Sequence, residues 1–109
     1  MKKLLILIMA SGFATPVGAD DLKAGRDLIK EWGCIECHGL SGNNRSTKTR
    51  VIPMLAGQPA AFLVKRLEEY QSGLHKDLED WSKMGNLVQG LTENEMQLIS
   101  RYYEAQKRY

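Results

Sequence analysis

The chain has 109 residues, with fifteen Lys and Arg against thirteen Asp and Glu, a formal charge of +2 and only two cysteines. That length suits a single small domain, which cannot hide much surface with protein atoms alone. Two basic residues and no acidic ones fall in the first nineteen positions, so the remainder balances thirteen against thirteen, which argues against nucleic acid as a partner.

Those first nineteen residues read as a cleavable secretory signal. Lys2 and Lys3 form a short positive region, residues 4–14 are apolar, and Val17-Gly18-Ala19 supplies small residues ahead of Asp20. Cleavage there leaves residues 20–109 as the folded domain, in the periplasm. The apolar run is too short to span a bilayer comfortably, so no stable membrane insertion is expected after cleavage. The alternative is an uncleaved interfacial tether.

Asp20 and Asp21 suit a helix start, and Leu22, Leu28, Ile29 and Trp32 can share one side of a helix ending at Gly33. Cys34-Ile35-Glu36-Cys37-His38 follows at once. This Cys-x-x-Cys-His spacing is that of c-type haem attachment: each thiol adds to one vinyl group of the porphyrin, and the histidine is held under the iron as proximal ligand. Rival readings have less support. A structural zinc site needs about four N or S ligands, and the only other histidine is the isolated His75. A thioredoxin-like dithiol needs a βαβ pattern, and none is visible. A plain disulfide leaves His38 without a role.

Residues 39–58 are rich in Gly, Ser, Asn and Thr without clear periodicity, a stretch longer than most compact-domain loops and suited to wrapping a prosthetic group. Within it Arg45, Lys48 and Arg50 form a basic cluster, read as a solvated loop in preference to a docking patch. A helix is expected from Pro59 through Phe62, Leu63, Leu67 and Tyr70 to Gly73. Residues 77–89 are a weaker helical candidate, broken by Gly85 and ended at Gly90. Thr92-Glu93-Asn94-Glu95 is a capping box opening a final helix with Met96, Ile99, Tyr102 and Tyr103. No strand pattern or repeat appears. The expected fold is all-α, with short helices and one long loop around a haem.

The sixth iron ligand has four candidates: Met54, Met84, Met96 and His75. Met96 lies in the first turns of an amphipathic helix, where core packing is the expected role. Met54 lies sixteen residues after His38 and next to Pro53, in a segment that must leave the proximal side. Met84 lies further along, in a Gly-containing loop-to-helix region able to return over the opposite face. It is the preferred ligand, with His75 as the alternative that would give a bis-histidine haem.

With these residues the chain resembles the bacterial class I cytochromes c, in particular small monohaem carriers and the single-haem halves of dihaem cytochromes. The resemblance runs from the first helix to Tyr103. It rests on the haem motif, on Pro53-Met54-Leu55-Ala56-Gly57-Gln58 with Phe62, Leu67, Tyr70 and Gly73, and on Met84, Val88, Leu91-Thr92 and Tyr102-Tyr103. It implies the same distal ligand, Met84. It also implies that Gly25 packs against Tyr102 where the terminal helices cross. Pro53 would lie near the His38 ring, either accepting the second imidazole N–H through its carbonyl or only shaping the turn. Departures are Val88 where Ala is common and Leu74-His75 where a basic residue often follows the glycine.

Iron held by His38 and Met84 has no open position, so substrate activation at the metal is disfavoured and one-electron exchange through a haem edge is the expected activity. The chain is thus expected to be an electron-transfer protein and not itself an enzyme: a monomeric periplasmic carrier of one haem c, joined through Cys34 and Cys37, serving redox partner proteins. The alternative is a haem c electron-transfer subunit of a larger dehydrogenase or oxidase. A gas-binding sensor would require Met84 to be absent or easily displaced.

Overall fold

The computed structural model describes residues 18–48, 52–74 and 81–109. Most of the signal segment, Arg50, and the alternative ligand His75 lie outside the described residues. Five helices follow one another: α1 (Ala19–Glu31), α2 (Cys34–His38), α3 (Ala60–Ser72), α4 (Trp81–Leu87) and α5 (Glu93–Glu104). Among the described residues there is no strand, as expected for an all-α fold.

The frame is the crossing of α1 and α5. Gly25 is buried in the crossing, because a β-carbon there would stand 2.5 Å from the backbone oxygen of Leu98. Only a residue without a side chain lets the two backbones approach this closely. Around it Ile29, Leu63, Val88, Leu91, Met96, Ile99, Tyr102 and Tyr103 form one buried core cluster. Met96 therefore packs in the core, as its amphipathic position predicts.

Helix α5 opens with the predicted capping box. Thr92 Oγ1 accepts from the Glu95 amide at 3.1 Å and Glu95 Oε1 from the Thr92 amide at 2.9 Å. The first helix stops two residues short of Gly33, and Pro59 precedes the first helical residue of α3 where it was expected to be that residue. A larger difference concerns Gly85, which does not break its helix but is buried inside α4. Glycine costs only about 1 kcal/mol against alanine in a helix, and here its carbonyl also accepts from Gln89 Nε2 at 2.8 Å. Met84 accordingly stands within α4, inside the weaker helical candidate over residues 77–89.

Long-range hydrogen bonds position the irregular segment. The adjacent hydroxyls of Tyr102 and Tyr103 donate to the carbonyls of Leu40 and Gly39 at 2.8 and 3.0 Å, tying the chain just after α2 to α5. Gln71 Nε2 donates to the carbonyls of Val88 and Leu91 at 2.8 and 2.7 Å, fastening the end of α3 to the link between α4 and α5.

Candidate functional site

A cavity of about 480 Å³ lies between these helices, within the range of about 300–1,000 Å³ common for small-molecule sites. Cys34, Cys37 and His38 line it together, with Pro53, Met54 and Met84. The motif residues reach it because α2 is a single short turn that follows directly on α1. On the wall, Phe62 and Leu87 are 49 % and 46 % exposed, so the cavity opens to solvent there.

His38 is buried, and its Nδ1 lies 3.1 Å from the carbonyl oxygen of Pro53. A carbonyl can only accept, so Nδ1 carries the proton in this contact. Burial pushes the imidazole below its ordinary pKa, against the smaller upward pull of the Pro53 bond. The ring is then neutral, with the Nε2 lone pair available to a metal. Of the two roles open to Pro53, carbonyl acceptor is the one observed.

Burial pushes the Cys34 thiol up to about 11. A thiol so raised lacks the thiolate character of a catalytic or redox cysteine. No disulfide joins Cys34 to Cys37. Among the described residues no group of three or more His, Cys, Asp and Glu could hold a metal, which leaves the structural zinc reading without ligands there.

Both Met54 and Met84 line the cavity, whereas Met96 is absent from its wall. Met54 adjoins Pro53, the residue bonded to His38. Met84 belongs to α4, a separate element, and packs against the core cluster.

Haem c fits this site. The walls are mostly apolar, two thiols and an imidazole converge on them, and a thioether stands on another element. Moreover, among the described residues two buried polar atoms have no hydrogen-bond partner, Trp32 Nε1 and Ser100 Oγ, and both residues line the cavity. Buried donors are nearly always satisfied, so this wall is completed by an added group and not by the chain alone.

Sequence reasoning missed part of the wall. Ser100 carried a signal, a polar residue at helical spacing from Met96 and Tyr103 on an otherwise apolar face. Arg66 and Lys83, also on the wall, had none, since cations on amphipathic helices ordinarily face solvent.

The chain is 30 % identical over 109 residues to cytochrome c4 of Pseudomonas aeruginosa, covering 98 % of the chain and 50 % of that protein. It is 28 % identical over 102 residues to cytochrome c-552 of Acidithiobacillus ferridurans, covering 94 % of the chain and 43 % of that protein. A third relative, the thiosulfate dehydrogenase electron acceptor of Stutzerimonas stutzeri, is 29 % identical over 70 residues, or 64 % of the chain and 31 % of that protein. The chain spans about half or less of the length of these relatives. No family model and no solved structure matches it. With its Cys34-x-x-Cys37-His38 motif and all-α frame around an apolar cavity, the chain is similar over nearly all of its length to class I c-type cytochromes, which carry covalently bound haem c.

Proposed function

We propose that the chain is a periplasmic one-electron carrier in which Cys34 and Cys37 would join haem c covalently and His38 and Met84 would hold its iron. The observation that carries this reading is the buried His38 ring, oriented by Pro53, on one cavity wall with Met84 supplied by another. When bound, the haem supplies a reversible one-electron change at its iron.

The residues of the chain do the rest. Pro53 fixes the ring plane and tautomer of His38, so that Nε2 faces the cavity interior. Leu63, Leu67, Val88 and Ile99 line the cavity with apolar surface and exclude water, and a dry pocket with a thioether ligand favours the reduced, less charged form. The half-exposed Phe62 and Leu87 mark where a redox partner approaches closely enough for transfer. Residues 1–19 act as the export signal and residues 20–109 as the haem domain. Among the described residues no helix is long and apolar enough to cross a membrane.

A second reading, an electron-accepting subunit of a larger complex, is favoured by the similarity to the thiosulfate dehydrogenase electron acceptor. Exported, matured protein tests both. A carrier shows a reversible one-electron titration while purified alone as a monomer. Copurification with one partner at fixed stoichiometry favours the subunit, and a protein that matures without covalent haem contradicts either.

A further inference from the structure

Haem c carries two propionate carboxylates on the edge of the macrocycle opposite its two thioether bonds. Carboxylates withdrawn from water need cations or donors beside them. Among the described residues the cavity wall bears no Asp or Glu, and its cations there, apart from any charge on His38, are Arg66 of α3 and Lys83 of α4.

The orientation of α3 fixes which end of the cavity Arg66 occupies. Gln71 near its C-terminus is bonded to the carbonyls of Val88 and Leu91. Gly90, between those two, packs on the indole of Trp32, where a β-carbon would stand 2.8 Å from Cη2. Trp32 precedes Cys34 by two residues. The C-terminal turn of α3 therefore lies at the thioether end. Arg66 stands five residues earlier, about 7–8 Å back along the helix axis, and Phe62 a further turn toward the open mouth. Glu69 Oε1 accepts from Arg66 Nη1 at 3.1 Å, which steadies a guanidinium whose five N–H donors exceed what one carboxylate oxygen uses.

We propose that Arg66, with Lys83 from the facing helix, forms the anion-binding end of the cavity and holds the propionate carboxylates of the haem. The proposal rests on the covalent haem reading above. Its functional consequence is electrostatic. Neutralising the carboxylates removes negative charge that would stabilise the oxidised iron, so the pair holds the midpoint potential up.

The test is spectroelectrochemistry of the purified holoprotein at low and high ionic strength. Arg66→Gln lowers the midpoint potential, and the lowering survives high salt because the contact is direct and not screened. Lys83→Gln shifts it in the same sense by less, and Arg66→Lys keeps part of the wild-type value. Arg101→Gln serves as control, since that exposed cation lies 3.8 Å from Asp21 and off the cavity wall; its potential is unchanged. An unchanged potential in both Arg66→Gln and Lys83→Gln overturns the proposal, and so does a shift that salt abolishes. An effect confined to the rate of reaction with a partner protein overturns it too, by assigning Arg66 to a carboxylate of the partner. Acid-stable haem in each variant keeps these outcomes separate from failure of the attachment reading, which would show as haem loss in the wild type.

Discussion

Gly25 and Tyr102 touch so closely that a β-carbon on the glycine would stand 2.7 Å from that of the tyrosine. Nothing flexible lies between them, because Leu98 contributes a backbone carbonyl to the same contact. Gly25→Val must separate α1 from α5 and cost about 1–3 kcal/mol through overpacking. Thermal unfolding of the holoprotein checks this, and a melting temperature equal to that of the wild type with an unchanged haem spectrum would contradict the contact.

Tyr103 is only 1 % exposed, and its hydroxyl donates to the carbonyl of Gly39, the residue after His38. Burial raises the hydroxyl above its ordinary pKa, so it remains protonated and a donor across the physiological range. Tyr103→Phe deletes the donor but keeps the ring. A loss of about 1 kcal/mol is expected, with faster amide hydrogen exchange in residues 39–44. Unchanged exchange there would mean that Asn44 and Asn43, whose side chains also bond into this region, hold the loop without the tyrosine.

Covalent attachment depends on two thiols that share one cavity wall. Wild-type protein should retain one haem per chain after denaturation and acid-organic extraction. Cys34→Ala and Cys37→Ala should each leave at most a single thioether and lower haem retention, which mass spectrometry of the extracted chain reads directly. His38→Ala removes the proximal ligand, so little matured protein is expected. Full retention in the double cysteine variant would place the haem elsewhere.

What could be read from the sequence was what is contiguous. The haem motif occupies five consecutive residues, and the capping box four, so their chemistry needs no knowledge of the fold. The crossing of Gly25 with Tyr102 and the bond from His38 to Pro53 came from family resemblance, and both contacts are present in the structure. Other features join residues far apart. Tyr102 meets Leu40 across 62 positions and Tyr103 meets Gly39 across 64, and no local pattern announces such bonds. Gly85 misled because propensity acts locally, whereas a buried position in a packed helix is decided by its neighbours.

Arg66 and Lys83 were illegible for another reason. Each sits on an amphipathic helix with partial or full exposure, where charge normally means solvent, and only the shape of the cavity makes them part of its wall.

The account depends most on Met84 as the sixth ligand, and the weak near-red absorption of an iron–sulfur(Met) bond in the oxidised protein tests it most directly. The wild type should show that band. Met84→Ala should abolish it, lower the potential and admit carbon monoxide or cyanide much faster, while Met54→Leu and Met96→Leu leave it intact. Persistence of the band in Met84→Ala, or a low-spin spectrum that responds to His75→Ala instead, would contradict the assignment.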